Sequence, residues 1–450
     1  MAILAVAPLL LFPFLSNDSM AVVLLWLSLF SMTWVILEPS IRTGERVYDA
    51  RLRVLRAIVC DPIFWTSFVV CIFFGVSALN TGVSVAYNAE TSLWYLSPAY
   101  FSIFPGSVKG AGFLPFTVML SVTILFQGCC HALGRSARMA FLALLSTFSG
   151  LAAVLALIMA QIGNETVLRA TQFLKTDFSF VGMAFGVSLL CGVVAFFLVF
   201  ENRWRKFIPF FILALGGSTV GLFYFSPAYM LVACLGLIIL MMGYVFLYAR
   251  KVLPITGEFR WLVSLLVFMS AGGLLAALML PEEFLTTQID KVMEFSLLPN
   301  EFWDVRKVLS SVSFKAWVSH LWIGIGLGAF PYSVRFFAQP DDWTLLPQGA
   351  DSISNGWWMI LVEHGVVGAF LIVVLVGLLV YFYCYRLVIW FRSNGFSLPH
   401  PTCLLAPIII VAVVAGGFFD CSFLRADVLP IIFSIIAVSI ASFSSTMGGQ

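Results

Sequence analysis

The stretch "SNGWWMILVEHGVVG" carries two adjacent ionisable residues, Glu363 and His364, inside a long apolar run. Trp357 and Trp358 open the run, and tryptophan is enriched where a membrane meets water. At 1.5 Å per helical residue, Glu363 lies roughly 9 Å deeper than this boundary. An ionisable residue at that depth is costly unless it pairs, protonates or faces water. Glu363 therefore either caps or pairs with a nearby donor, or lines an outward-facing cavity. His364 points about 100° away around the helix and is expected to be structural.

Composition places these residues in a membrane protein. The chain has 450 residues, of which 61% are hydrophobic and 10% are charged. Soluble domains have about 45–50% apolar and 25% charged residues. The nine cysteines are scattered, without the spacing of a disulfide framework or a zinc site. The N-terminus lacks a basic region and a cleavage site, which favours a first span over a signal peptide.

The sequence predicts an all-α polytopic membrane protein with about twelve transmembrane helices, because one span needs roughly 20 apolar residues. The predicted spans are 2–16, 20–37, 63–80, 111–127, 139–161, 179–200, 207–225, 228–248, 262–280, 357–383, 403–418 and 428–445. They divide the chain into spans 1–9 within residues 1–280, a large outer loop at 281–356, and spans 10–12 within residues 357–450. The segment 39–60 is typical of a basic amphipathic helix on the membrane surface.

Basic residues orient these spans. One set of short loops holds fifteen Lys and Arg residues and the opposite set holds four, namely Lys109, Arg169, Lys175 and Arg425. Basic loops stay in the cytoplasm, so both termini are predicted to be cytoplasmic and 281–356 to lie outside.

The outer loop is the longest polar stretch of the chain and is expected to be ordered, with short helices. It holds nine of the 22 acidic residues and an aromatic segment at 301–338. Gly324, Gly326 and Gly328 form a G-x-G-x-G run that lacks the strand and spacing of a dinucleotide fingerprint. Small residues there allow close backbone approach, either for helix packing or for a ligand.

The ordered set of motifs in this region resembles the superfamily of O-antigen ligases and Wzy-type polysaccharide polymerases. The motifs are "WDVRKVL" with Arg306, then "IGIGLGAF", then "SNGWWMILVEHGVVG" with Asn355, Glu363 and Gly365. They cover roughly 300–370. Ser354 occupies the position of the histidine of the ligases, and "SPA" at 226–228 replaces an upstream arginine, so polymerases are favoured over ligases.

The resemblance implies transfer of a glycan from an undecaprenyl-pyrophosphate carrier to a sugar hydroxyl, at the periplasmic face of a bacterial inner membrane. Arginine suits the departing pyrophosphate because its planar fork binds phosphate bidentately. Arg306 is the first choice, supported by Lys307 and Arg335. The candidates for the group that accepts the proton are His320, Asp351 and Glu363. Further substrate-binding candidates are Ser354, Asn355 and Arg425.

The expected partners are the lipid-linked oligosaccharide, the bilayer and possible polysaccharide-assembly proteins, without nucleic acid. No cofactor is expected. No metal is expected either, because the adjacent Asp341 and Asp342 are poorly placed to converge on one ion. The alternatives are an O-antigen ligase that acts on lipid A core, a transporter or flippase of lipid-linked glycans, and a structural or regulatory membrane protein. Transporters often carry ionisable residues at the membrane midplane, whereas the candidates here cluster toward one face.

Overall fold

The computed structural model describes residues 1–11, 15–39, 41, 44–88, 93–97, 101, 103–145, 148, 300–338, 355–394, 401–417 and 428–447. Most of them are helical. The helices of the N-terminal part are α1 (Ala2–Leu11), α2 (Asn17–Leu37), α3 (Val47–Val59), α4 (Pro62–Leu79), α5 (Phe113–Gln127) and α6 (135–145). A π-helical turn, Gly128–Ala132, continues α5. The helices of the C-terminal part are α7 (Asn300–Ser319), α8 (Phe330–Phe337), α9 (Gly356–Asn394), α10 (Leu405–Gly417) and α11 (Leu429–Met447).

Among the residues that the structure describes, four helical stretches are long and apolar enough to cross a membrane, so the chain is a helical membrane protein. They are Asn17–Leu37, Pro62–Leu79, Phe113–Ala132 and Gly356–Ser393. These match the predicted spans 20–37, 63–80, 111–127 and 357–383. The last stretch has 38 residues, more than the roughly 20 that one span needs. The predicted spans between 179 and 280 lie outside the described residues, as does most of 139–161.

Serine pairs and small residues bring the N-terminal helices together. Ser28 of α2 and Ser121 of α5 share a hydrogen bond of 2.6 Å between their hydroxyl oxygens. Both are buried, and hydroxyl pairs of this kind join helices in an apolar surrounding. Gly112, just before α5, lies so close to α4 that an added Cβ would be 2.5 Å from the Cα of Ala78.

The antiparallel pair α4 and α5 defines two ends of the bundle. At one end, Asp61 caps α4 by accepting the Ile63 N–H at 2.9 Å. Gln127, the last residue of α5, donates to the same carboxylate at 3.1 Å. We call this the Asp61 end. At the other end, the loop after α4 meets the start of α5 and the glycine run at 324–328, and we call this the glycine-loop end.

Two local features complete the N-terminal half. Helix α3 falls within the predicted amphipathic segment and buries Ala50 and Val54, while Arg51 donates to the carbonyl of Leu37 at 2.9 Å. Strands β1 (Ser84–Asn88) and β2 (Leu93–Ser97) form an antiparallel hairpin, with Ala86 opposite Tyr95. The hairpin is a local addition to the all-helical fold that the sequence predicts.

Candidate functional site

The glycine run crosses from the end of α7 to α9 and joins it through backbone hydrogen bonds. The N–H groups of Ile325 and Gly326 donate to the carbonyls of Val362 and Glu363, at 2.9 and 3.3 Å. In return, the N–H groups of Val366 and Val367 donate to the carbonyls of Leu321 and Trp322, at 2.9 and 3.1 Å. The two segments therefore interlock through four backbone hydrogen bonds.

Gly365 interrupts α9 at this contact. Its φ is 64° and its ψ is −169°, outside the helical range. In a continuous helix, the N–H groups of Val366 and Val367 would bond to the carbonyls of Val362 and Glu363. Segment 321–326 supplies hydrogen-bond partners for all four groups, the two N–H groups and the two carbonyls. Non-helical backbone inside a membrane protein is tolerated where other protein groups satisfy it in this way.

Close approach explains why glycine occupies both sides of the contact. A Cβ atom at Gly365 would overlap the carbonyl oxygen of Trp322. One at Gly324, where φ is 72°, would lie 2.5 Å from the backbone oxygen of Glu363. A residue with a side chain at either position would meet both a clash and left-handed backbone strain.

Glu363 is 3% exposed, and the backbone N–H groups of Gly328 and Phe330 lie close enough to its carboxylate to stabilise the charged form. Phe330 is the first residue of α8, so the carboxylate lies at the positive end of that helix dipole. Of the two hypotheses drawn from the sequence, this geometry favours a residue that caps a neighbouring element. The role of Glu363 as a cavity-lining base stays a prediction.

The loop after α4 holds the glycine run from the other side. Leu327 donates its N–H to the Gly106 carbonyl at 2.9 Å, and its carbonyl accepts the Val108 N–H at 3.0 Å. Ser77 of α4 donates to the Gly106 carbonyl at 2.7 Å. Asn80, which ends α4, donates to the Phe101 carbonyl at 2.9 Å. Sequence reasoning missed these residues, because a short polar loop between spans carries no signal that it anchors a segment more than 200 positions away.

A small hydrophobic cluster, separate from the main core, fixes α7 and α8 at this end. It includes Leu309 and Val312 of α7, Phe330 and Val334 of α8, and Val362 of α9. Beside it, the rings of Phe314, Trp317 and Trp358 form a trio whose centroids are 5.9 to 6.2 Å apart. The described part of the predicted outer loop is thus packed against the bundle.

His320, at the end of α7, has the hydrogen bonding of a proton acceptor. Its Nδ1 lies 2.9 Å from the Ser319 hydroxyl oxygen, and that hydroxyl donates to the Ala316 carbonyl at 2.7 Å. Because the hydroxyl has one hydrogen, Nδ1 is the donor toward Ser319, which leaves Nε2 with its lone pair. Partial burial lowers the pKa of His320 from its usual value of about 6.5, which favours neutral imidazole at pH 7.

The structure separates two of the predicted site residues. Arg306 and His320 are both on the α7 segment, 14 positions apart, which corresponds to about 21 Å along a helix. They are too far apart to touch one reacting centre. Arg335 lies in α8, two residues before Phe337, whose carbonyl accepts from Lys315 of α7 at 3.4 Å. Residue 335 is therefore close to the last third of α7, which contains Lys315 and is nearer to His320 than to Arg306.

The remaining candidates have simpler placements. Asn355 caps α9, since its side-chain oxygen accepts the N–H groups of Trp357 and Trp358, at 2.9 and 3.3 Å. Lys307 is exposed on α7. His364 packs edge-on against Phe74, with ring centroids 5.1 Å apart, as expected of a structural histidine. The candidates outside the described residues are Asp351, Ser354 and Arg425.

Within the described part of the chain, no three His, Cys, Asp or Glu side chains are grouped to hold a metal ion.

In comparisons with known proteins, no family model matches the chain, and no curated protein matches it either.

Proposed function

We propose that the protein is a polysaccharide polymerase that transfers a glycan from an undecaprenyl-pyrophosphate carrier to a sugar hydroxyl at the outer face of a bacterial inner membrane. One observation supports this proposal above the others. Segments 321–326 and 362–367, which include parts of the two separate motifs of the resemblance, interlock through four backbone hydrogen bonds, and two of these, from Ile325 and Gly326, join the motifs directly. Motifs about 40 positions apart that form one rigid contact behave as parts of a single site.

In this proposal, the interlocked region is a platform and Glu363 is a positioning residue. Its carboxylate lies beside the backbone N–H groups of Gly328 and Phe330 and thereby holds the start of α8. The platform fixes α8, which carries Arg335, relative to α7, which carries His320. A rigid platform suits group transfer, because reacting groups held in the correct geometry remove much of the entropic barrier.

Depth favours Arg335 over Arg306 as the ligand of the pyrophosphate. Trp358, a predicted boundary residue, contacts Phe314 and Trp317 in the second half of α7. Arg335 is close to this level, where the phosphates of a membrane-borne carrier lie. Arg306 is eight positions before Phe314, about 12 Å further along the helix and away from the glycine loop. Arg306 then fits the glycan or the acceptor better than the pyrophosphate.

The proposed reaction needs one cation and one base. The acceptor hydroxyl attacks the anomeric carbon, and the bond from that carbon to the pyrophosphate oxygen breaks. The electron pair leaves with the pyrophosphate, which the Arg335 guanidinium stabilises through bidentate contacts. The proton of the hydroxyl passes to Nε2 of His320. Asp351 is the second candidate for this acceptor.

The test is polymer formation in cells that lack the wild-type gene and express variants at matched levels. Arg335→Lys and Arg335→Ala should both lose most polymer, because lysine keeps the charge but not the fork. Lys109→Ala is the matched control, since Lys109 is an exposed cation on the same predicted face, and it should retain wild-type polymer. Arg306→Ala should be impaired less. If Arg306→Ala is inactive and Arg335→Ala is normal, the pyrophosphate role passes to Arg306.

The gene deletion separates the classes of function. Loss of polymer with retained single repeats indicates a polymerase, whereas polymer that accumulates on the lipid carrier indicates a ligase. If neither glycan pattern changes, the proposal is wrong.

The pH dependence of activity, measured on the purified protein, tests the role of His320. Because only neutral His320 accepts a proton, activity should be full above the lowered pKa of His320 and fall as the pH drops through it, below about 6.5. His320→Gln should abolish this acid limb.

A further inference from the structure

Arg138, at the Asp61 end of the bundle, is a buried cation that the described fold leaves without enough partners. Its side chain is 6% exposed. Both Nε and Nη1 are inaccessible to water and have no hydrogen-bond partner. Buried polar groups are normally satisfied, and the exceptions call for a specific explanation such as an ion or ligand. A guanidinium is a demanding case, because it remains charged when buried.

The groups around Arg138 do not compensate its charge. Among the described residues, those that act on it electrostatically are the thiols of Cys129, Cys130 and Cys403, together with the cationic Arg135. Neutral thiols are weak acceptors, and Arg135 adds charge of the same sign. Burial lowers the pKa of the Arg138 guanidinium, as expected for a cation removed from water without an anionic partner.

Asp61, an acidic side chain of this region, is already engaged. Asp61 acts on Cys130, the neighbour of Cys129. Its carboxylate, however, accepts from the Ile63 N–H, from Gln127 Nε2 at 3.1 Å and lies 3.1 Å from Nε2 of His131. Asp61 therefore has three partners of its own. Its carboxylate does not serve as the acceptor for the unpartnered nitrogens of Arg138.

The N-terminal turn of α6, which contains Arg138, also favours an anion. The Arg138 N–H donates to the Gly134 carbonyl at 3.0 Å, so α6 begins directly after Gly134. The first N–H groups of a helix lack partners within it, and the helix dipole makes that end positive. Side chains of a helix lean toward its N-terminus. The Cα–Cβ bond of a residue in the first turn therefore tilts toward the end of the helix where anions bind.

We propose that Arg138 and the N-terminal turn of α6 form a binding site for a phosphate group, at the end of the bundle opposite the glycine loop. Phosphate matches the site because a guanidinium binds it bidentately through parallel N–H groups, and Nε and Nη1 are both unpartnered. By the distribution of basic loops, this end faces the cytoplasm. The phosphate comes either from the headgroup of an anionic phospholipid or from the aqueous phase. This site is independent of the proposed polymerase activity, which lies at the other end of the bundle.

The experiment uses the full-length protein in nanodiscs and compares two sources of phosphate. In neutral phosphatidylcholine discs, inorganic phosphate is titrated against sodium chloride at matched ionic strength. In the second arm, phosphatidylglycerol replaces part of the phosphatidylcholine. Thermal unfolding is followed in both, because a ligand that binds only the folded state raises the unfolding temperature. Native mass spectrometry counts the lipids that remain bound.

The variants separate the site from general attraction to anions. Arg135 lies three positions earlier on the same helix and is exposed, so Arg135→Gln is the matched control and should respond like the wild type. Arg138→Gln should lose the rise in unfolding temperature in the arm where the wild type shows one. Arg138→Lys should weaken binding on the order of tenfold or more, because it keeps the charge without the fork.

A rise with inorganic phosphate identifies a soluble source, and a rise only with phosphatidylglycerol identifies a lipid headgroup. The proposal is overturned if neither arm stabilises the wild type, the result expected if a carboxylate of the chain itself satisfies Arg138. It is also overturned if Arg138→Gln responds as strongly as the wild type. If Arg138→Gln fails to fold, the Arg138→Lys and Arg135→Gln pair still decides the outcome.

Discussion

Glu363 and Arg138 are ionisable side chains buried near opposite ends of one bundle, and their surroundings differ in a simple way. The carboxylate of Glu363 lies beside two backbone N–H groups, those of Gly328 and Phe330, which stabilise its charge. Arg138 has two nitrogens without a partner. A carboxylate needs donors, and a loop or helix start offers backbone N–H groups in abundance. A guanidinium needs acceptors, and carbonyls within helices are already used. The backbone can therefore supply hydrogen-bond partners to a buried anion more easily than to a buried cation.

This difference separates a structural role from a ligand-binding role. At the glycine-loop end, the ionisable group, the broken helix and the crossing segment satisfy one another, which suits a rigid platform. At the Asp61 end, two N–H donors of Arg138 have no acceptor, which suggests that the acceptor comes from outside the described residues. Three substitutions test this contrast, beginning with the one expected to have the largest effect.

Gly365→Val should prevent α9 from breaking where the glycine loop docks. The left-handed backbone and the overlap with the Trp322 carbonyl should together destabilise the protein by at least about 3 kcal/mol. The measurement is reversible chemical unfolding in detergent micelles. The control is Gly377→Ala in the same helix, where an added Cβ would meet nothing within 4 Å. It should be neutral or stabilising by up to about 1 kcal/mol. Equal stability of the two variants would contradict the proposal that the contact at Gly365 is a rigid platform.

Glu363→Ala should leave the N–H groups of Gly328 and Phe330 without their acceptor. Each unsatisfied buried donor costs about 1–3 kcal/mol, so a loss of about 2–6 kcal/mol is expected in the same unfolding assay. Glu363→Gln keeps one acceptor oxygen and should lose less. It should also retain much of the polymer-forming activity, since the carboxylate positions α8. A Glu363→Gln protein that is fully stable yet inactive would restore Glu363 as a candidate base.

Composition and periodicity predict the spanning helices, since four of the predicted spans coincide with helices that can cross a membrane. The glycine run also predicts close backbone approach, which Gly324 confirms. The break at Gly365 could not be predicted, because a glycine in an apolar helix is ordinary until the segment that docks on it is known. The same holds for Asn80, whose partners depend on how its loop folds.

Arg138 shows a different limit of sequence reasoning. In the sequence, it is one of the fifteen basic residues of the predicted cytoplasmic loops, where arginine is expected to be exposed. Arg138 lies near Cys129 and Cys130 of the π-helical turn and near Cys403, and such long-range proximity leaves no local signature in the sequence. Arg135, three positions away, fits the simple expectation.

Arg138→Met should have the smallest effect of the three, and the opposite sign. Methionine fills much of the same volume and adapts to irregular spaces, but it needs no acceptor. Replacing a buried charge that lacks partners should stabilise the protein by about 1 kcal/mol or more in phosphatidylcholine discs without phosphate. Arg135→Met, at an exposed position, should stay within about 0.5 kcal/mol of the wild type. The advantage of Arg138→Met should shrink when inorganic phosphate or phosphatidylglycerol is added, because only the wild type gains a ligand. If Arg138→Met instead loses several kcal/mol under all conditions, Arg138 already has an acceptor in the chain, and the contrast with Glu363 fails together with the phosphate site.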